Sequence, residues 1–503
     1  MIMRKIKTTI IAFTAVLALS ACTDLNETLY DKVKSADYGK TPAEIETIVG
    51  RAYSVLRGFG DNISLSYPSC EFLFLLNEAT SDEACIPTRG ADWYDEGRYQ
   101  EAEFHTWKNS NLLILSSWRY CYEGISKVNA VIYQVKKSEL TEDEKAVVYA
   151  ELRGLRAYFY SILLDMFGNV PLVTNFEDLE LPTNSTRAEV YAFVESELLD
   201  VLPLLPKEII YGRFTQNVAN TLLARLYLNS EVYIGKARWQ DCIDACDKVQ
   251  GYTLEPNFFA NFLTENEGSK ENIFVIPYDT KAGTVGNYLI ALSLHYKQNQ
   301  AISATNNFTY CVNGICAQPG LYSKYEDADA RKKGYLVGDQ ISLATGSVIM
   351  MDDGNPLSYT EEIGDYTKAL QNEGVRNAKY ELKEGQLWEQ DHDWVLMRYA
   401  EVLLMKAECF IRLGSPALAR PFIEQVRKRA NLDTPADVTL DFLDDELMRE
   451  FAFEGHRRTD NIRMGDFFKP NWLTDATPAY RGIFPIPQRV LDMNSKLVQN
   501  PGY

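Results

Sequence analysis

The chain has 503 residues, 46% of them hydrophobic and 24% charged, with a formal net charge of −19. That length suits one large domain or two ordinary ones, and the acidic balance argues against nucleic acid and anionic lipid headgroups as electrostatic partners. Aromatic residues make up 12%, with 30 tyrosines, a richness that suits a sugar- or peptide-binding surface.

Arg4, Lys5 and Lys7 form a positive n-region ahead of an apolar run at residues 8–19, too short to span a bilayer. The run leads into Leu19-Ser20-Ala21-Cys22, which resembles the bacterial lipobox. Residues 1–21 are therefore read as a lipoprotein signal peptide and Cys22 as the lipidated residue. Several acyl chains on one residue anchor firmly, because each buried methylene contributes about 0.8 kcal/mol. No other run is long and apolar enough to cross a membrane, so contact with it is expected through the lipid alone.

Thr41-Pro42-Ala43-Glu44 is a capping box with proline at the first helical position, opening a helix to about residue 56. Residues 87–107, PTRGADWYDEGRYQEAEFHTW, have no period of 3.6 or 2 and read as a loop. Flat rings interleaved with forked hydrogen-bonding groups fit a polyhydroxylated ring, the aromatics covering its C–H faces and Arg and Asp meeting its hydroxyls. The competing reading is a long loop whose aromatics pack back onto the domain. Tyr99, His105 and Trp107 sit nearer the next helix and are expected to pack into the fold.

A helix is predicted over 118–135. A second capping box at Thr141 leads into a helix with Val148, Leu152, Leu155, Phe159, Ile162 and Met166 at helical spacing, closed by Gly168 and Pro171. A third box at Thr186 opens a helix ending near residue 202. Residues 217–233 and 239–249 form a helical pair across Gly235, and residues 394–413 and 416–430 repeat that grammar. Ala224, Ala245, Ala407 and Ala419 allow close approach, the physical content of a tetratricopeptide-type hairpin.

Between the pairs, over 256–393, helical periodicity fades, Gly, Asn, Asp and Tyr abound, and short β-like runs such as 273–276 appear. A long irregular insertion in a helical scaffold is more often functional than idle. A last helix is predicted over 440–453. Nine cysteines include Cys22; Cys311 and Cys316 bracket a turn-like Val-Asn-Gly-Ile and are either locally bridged or free thiols. No cysteine or histidine spacing suggests a metal site, and no cofactor motif is present. No nucleophile elbow, zinc-protease motif or phosphate loop is present, and His105, His295, His392 and His456 are scattered, so no catalytic residue is assigned. A glycoside hydrolase would need two carboxyls across a cleft, and none of the 70 Asp and Glu stands in such a motif.

Several motifs together resemble the SusD/RagB family of Bacteroidetes outer-membrane lipoproteins. They are Arg156-Ala157-Tyr158-Phe159-Tyr160 with Phe167-Gly168-Asn169-Val170-Pro171-Leu172, the helix from Leu396 to Glu408, and Glu454-Gly455-His456-Arg457 running to Arg463. Phe484-Pro485-Ile486-Pro487 and the closing Asn500-Pro501-Gly502-Tyr503 complete the set, while Thr459 and Asn461 depart from the family's usual residues. Most of these signatures are structural; Glu454 and Arg458, four apart, can pair if their helix continues. Asp24 and Glu27 after Cys22 resemble the surface-export signals of such lipoproteins.

The resemblance implies a mainly α, SusD-like fold: one domain over 22–503, with helical pairs at 41–255 and 394–455 as scaffold and a large loop-rich insertion at 256–393. It implies a partner, a SusC-like TonB-dependent outer-membrane transporter, and an oligosaccharide or polysaccharide ligand, with a peptide as the alternative. The expected ligand contacts are Trp93, Tyr94, Arg89, Asp92 and Asp82 from the early segment and Tyr296, Tyr310 and Arg376 from the insertion. A scaffold that holds peptide on its helical face, indifferent to Trp93, is the third reading.

Overall fold

The computed structural model describes residues 41–58, 69–279, 289–302, 311–385 and 390–503, with Gly39, Lys281, Gly286 and Asn287 besides. The predicted signal peptide, Cys22, and Tyr310 lie outside the described residues.

The first helices are α1 (Pro42–Ser54), α2 (Ser69–Ala79), α3 (Arg98–Glu103), α4 (Leu112–Lys136), α5 (Glu142–Met166) and α6 (Arg187–Val201). Thr41, Thr141 and Thr186 each close a reciprocal capping box with the glutamate three residues on, and each such cap contributes about 1 kcal/mol. After α5 the chain turns at Gly168, whose φ is +68 and whose amide donates to the Leu163 carbonyl at 3.0 Å. Gly124 lets α4 lie close on α5, because a Cβ there would run into the Phe159 ring.

The next pair is α7 (Gln216–Leu228), with a short α8 (Ser230–Ile234), and α9 (Trp239–Cys246). The sequence pattern predicts one helix through residue 233. The structure breaks it at Asn229, whose side chain donates back to the Arg225 carbonyl at 2.9 Å and accepts from Arg463 at 3.0 Å. Short-range side-chain bonding of this kind competes with the helix.

Beyond α9 the chain leaves the helical layer and returns at α12, after α10 (Leu289–Ser293) and α11 (Gln298–Ile302) in the insertion. The layer resumes with α12 (Tyr399–Arg412) and α13 (Pro416–Arg429), then α14 (Leu440–Phe451) and α15 (Arg457–Met464). α12 packs on α9 as well as on α13, so the helical stack runs on as though the excursion were absent.

The excursion is closed at its neck. Its outgoing strand β2 (Asn272–Ile276) pairs antiparallel with its returning strand β8 (Trp394–Arg398), Asn272 opposite Arg398 and Ile276 opposite Trp394. Residues 394–398, predicted as the start of a helix, are therefore a strand. Val395 and Met397 are buried and alternate with the half-buried Trp394 and Leu396, the period-2 pattern of a strand. Further short ladders are β1 (Ala84–Cys85) with β3 (Cys316–Ala317), β4 (Tyr335–Leu336) with β7 (Arg376–Asn377), and β5 (Gly338–Asp339) with β6 (Ser358–Tyr359). Cys316 thus faces Cys85 across the β1–β3 ladder, and among the described cysteines no disulfide forms.

A buried ion network joins the two halves. Arg398 pairs with Glu271 at 3.0 Å, with Glu454 at 2.7 Å and with Glu450. Arg331 pairs with Asp329, Glu446 and Glu450 at 2.8 to 2.9 Å, and Arg429 with Glu271 at 2.9 Å and with Glu450. Although burial opposes ionisation, the guanidiniums of Arg429, Arg398 and Arg331 hold the Glu450 carboxyl well below the usual carboxylate range. The expected Glu454–Arg458 pair does not form. α14 ends at Phe451, and Phe453 and Gly455 at φ +60 and +78 turn the chain before α15 starts. Glu454 is turned to Arg398 and to Lys379 at 2.5 Å, while Arg458 reaches Asp165 at 3.1 Å.

Two predictions follow from these buried charges. Glu450→Gln strips the shared anion from three arginines and is expected to cost about 3–5 kcal/mol, read as a lower midpoint in urea unfolding. The second concerns Glu78 and Glu83, neighbouring buried carboxyls that accept from the Gly455 and Phe453 amides at 2.7 Å. Burial pushes Glu78 up to about 7 and Glu83 well above its ordinary value. The folded state therefore keeps protons that the unfolded chain releases near pH ~4.3. Stability is greatest below that pH, within this pair's contribution, and falls as pH rises through about 7. Glu83→Gln is expected to flatten the dependence in thermal melts.

Candidate functional site

After β1 the chain makes a tight loop before α3. The Arg89 and Asp92 backbones exchange hydrogen bonds at 3.0 and 3.1 Å. Trp93, Asp95 and Glu96 then take φ values of +64, +43 and +61. Left-handed backbone costs a side-chain-bearing residue about 1–2 kcal/mol. Three such residues within four positions persist only where the surroundings over-determine them, an arrangement that clusters at ligand-binding sites.

The surroundings here come from the insertion. Trp93 Nε1 donates to the Val312 carbonyl at 2.7 Å. The indole lies against Gly314, where any Cβ would run into it, and packs on the Tyr99 ring at 5.5 Å. It is thus fixed at one edge and one face and remains half-buried. Next to it Tyr94 is 54% exposed. The exposed Asp92 carboxylate accepts from the Tyr296 hydroxyl at 2.5 Å, which ties the early loop to the segment between α10 and α11. Behind Tyr296, His295 is held neutral: burial first, then the positive charges of Arg376, Arg89 and Lys297, bring its pKa down to about 4. The loop thus sets the fixed indole of Trp93 beside the exposed Tyr94 and the Asp92–Tyr296 pair, a carboxylate and a phenol.

The other predicted contacts lie elsewhere. Arg89 is fully buried; its guanidinium donates to the Asn313 carbonyl at 3.1 Å, the Leu370 carbonyl at 2.6 Å and Cys316 Sγ at 3.3 Å. Arg376 is equally buried and donates to the Glu373 and Gln371 carbonyls and to Asn313 Oδ1. Both are struts beneath the loop and have no face to offer a ligand. Asp82 is held by Arg457 at 2.6 and 2.9 Å and by Asn461 at 2.8 Å. It lines a separate cleft of about 390 Å³ with Lys324, Asp444 and Asp466, and not the surface that carries Trp93. Tyr99, His105 and Trp107 are buried, as their position before α4 suggests.

Sequence reasoning passed over Asn313 and Gly314. Asn313, at φ +55, accepts from both buried arginines and donates to Gln371 at 2.7 and 3.0 Å. The Asn-Gly dipeptide signals a turn, but nothing local says what the turn faces. A cavity of about 240 Å³ lies among α2, α5, α7 and α12, where Arg225 pairs with Glu401 and Arg463 with Glu408 and Asp460. Its charges are already matched within the fold. Among the described residues no group of His, Cys, Asp and Glu is arranged to hold a metal ion.

The family model described as "SusD family" matches residues 270–503, and one described as "Starch-binding associating with outer membrane" matches residues 77–228. The "Starch-binding protein SusD" of Bacteroides thetaiotaomicron is 27% identical over 479 residues, covering 86% of this chain and 85% of its own. SusD-like protein P2 of Formosa agariphila is 26% identical over 548 residues, covering 100% of both. Surface glycan-binding protein A of Bacteroides thetaiotaomicron superposes with a TM-score of 0.74 at 24% identity, over 92% of this chain and 100% of that one. The same protein in complex with laminarihexaose gives a TM-score of 0.73. The helical stack interrupted by a looped-out segment is thus a shared fold, matched in both halves of the sequence: the chain belongs to the SusD/RagB family.

Proposed function

We propose that this chain is a glycan-binding lipoprotein of the cell surface, anchored in the outer membrane through Cys22. It captures oligosaccharide or polysaccharide and hands it to a SusC-like TonB-dependent transporter. One observation carries the reading. A strained loop presents Trp93 and Tyr94 beside the Asp92–Tyr296 pair, with the indole locked by Val312 and Gly314. A ring fixed before the ligand arrives loses little freedom on binding, and a pyranose laid on it leaves its hydroxyls to the carboxylate and phenol. Its relatives, a starch-binding protein and a glycan-binding protein in complex with laminarihexaose, support the ligand class. The helical stack is the face that docks on the barrel, and the loop-rich half holds the cargo. No step of this function calls for a cofactor or for catalysis.

Sugars offer little apolar area and many hydroxyls to desolvate, so a Kd of roughly 1 μM to 1 mM is expected. The test is isothermal titration or affinity electrophoresis of the protein against starch, laminarin, other glycans and peptides. Trp93→Ala is expected to weaken glycan binding at least about tenfold, or about 1.4 kcal/mol. Gly314→Val is expected to do the same with Trp93 intact, by evicting the indole from its seat. Binding unchanged in both variants would move the site elsewhere, selective peptide binding would change the ligand class, and cleavage of the glycan would make the protein an enzyme.

A further inference from the structure

The β1–β3 ladder places Cys85 directly opposite Cys316, with their sulfurs 3.7 Å apart. Opposed residues of an antiparallel pair have Cα atoms about 4.5–5.5 Å apart, inside the span of about 4.4–6.8 Å that a disulfide bridges. The pair is therefore preset for closure by the register of the strands.

The charges around it point further. Five arginines are among the largest fully buried side chains: Arg89, Arg331, Arg376, Arg398 and Arg458. Arg331, Arg398 and Arg458 each pair with a carboxylate. Among the described residues Arg89 and Arg376 form no such pair; their partners are carbonyls, Asn313 and, for Arg89, Cys316 Sγ at 3.3 Å. Arg376 Nη1 and Cys316 Sγ both crowd the space over Gly374. A buried cation needs a nearby anion, and of the two groups that both guanidiniums approach, Asn313 and the Cys316 sulfur, only the sulfur can ionise.

We propose that Cys316 is a thiolate, the counter-anion of Arg89 and Arg376, and that with Cys85 it forms a redox-active dithiol closed to a disulfide by peroxides. Burial pushes the Cys316 thiol up, but the hydrogen bond from Cys85 and the charges of Arg89 and Arg376 bring it down to about 6, while Cys85 is pushed well above its ordinary value. The other titratable groups facing the pair are neutral. Burial keeps Glu103, Tyr366 and Tyr359 protonated and His295 unprotonated. The couple is one nucleophile and one proton donor.

The oxidant is a hydroperoxide, small enough for a site with no solvent-exposed sulfur. Cys316 S⁻ attacks one peroxide oxygen, the O–O bond breaks, and hydroxide leaves, giving a sulfenic acid at Cys316. Cys85 sulfur then attacks Cys316 sulfur; the S–S bond forms, the S–O bond breaks, and the departing hydroxyl takes the Cys85 proton as water. Two thiol sulfurs are oxidised and one peroxide is reduced. This inference stands independently of the glycan reading.

The test treats the reduced, folded protein with hydrogen peroxide across a pH series, then alkylates it in denaturant and maps its peptides without reduction. The expected result is a cross-link between the Cys85 and Cys316 peptides, with Cys121, Cys242, Cys246, Cys311 and Cys409 alkylated, and a rate rising with a midpoint near pH 6. Cys85→Ser should abolish the cross-link and leave a sulfenic acid at Cys316 that dimedone traps. Arg89→Gln should move the midpoint upward. A Cys311–Cys316 cross-link, indiscriminate oxidation, or a wild-type midpoint at the ordinary thiol value of about 8.5 would overturn the proposal, and the wild-type measurements decide it should a variant not fold.

Discussion

The structure depends on Glu450 and the three arginines around it. Glu450 is the point where the loop-rich segment, the returning helical hairpin and α14 meet, because Arg331, Arg398 and Arg429 come from three separate elements to one carboxylate. Desolvating so many charges adds little to net stability compared with an apolar core. Its physical effect is on geometry: a bidentate guanidinium accepts its partners in few orientations. Glu271 immediately precedes β2 and Arg398 ends β8, so the network fixes the register of the neck from which the excursion projects. A site built on loops then has a base that does not slide.

The same logic is repeated at smaller scale beneath Trp93. Arg89, Arg376 and Asn313 form a polar floor in which each donor finds a carbonyl or amide from another segment. That floor, with the indole's bond to Val312, holds a backbone that would otherwise relax out of the left-handed region. Rigidity at the exposed face and charge beneath it are therefore one feature, and an exposed surface made from three distant stretches of chain behaves as a single element.

What was legible in the sequence followed from how local the physics is. The Thr-x-x-Glu boxes at Thr41, Thr141 and Thr186 are decided within four residues, and their helices start where the pattern places them. The aromatic, aperiodic stretch at 87–107 reads as a loop, and the structure keeps a loop over 87–94 but forms α3 over Arg98–Glu103, a helix too short to show a period. Arg89 and Arg376 were misjudged because composition does not say which side of a loop a guanidinium faces. Arg398 caps a strand where the pattern continues a helix, and that outcome is set by β2, more than a hundred residues away. Asp82 looked available until Arg457, distant in sequence, was seen to claim it. The partner of Cys316 was unreadable for the same reason, since the local turn points to Cys311 and the ladder supplies Cys85.

The β1–β3 ladder joins residues separated by 231 positions, and this governs the order in which the chain can fold. Contacts among α4, α5 and α6 are short in sequence and can form early, whereas closure of the loop-rich half must wait for a partner strand made much later. Long-range pairing slows folding and prolongs the exposure of unpaired edges. A chain arrested before β3 would carry α4 to α6 largely assembled beside an open β1 edge, a species suited to recognition by a chaperone and hazardous without one. The ladder that seats the loop thus cannot close until residue 317 has been made, and the bonds that tie the same region to the end of the chain, such as Trp107 to Tyr503, close later still.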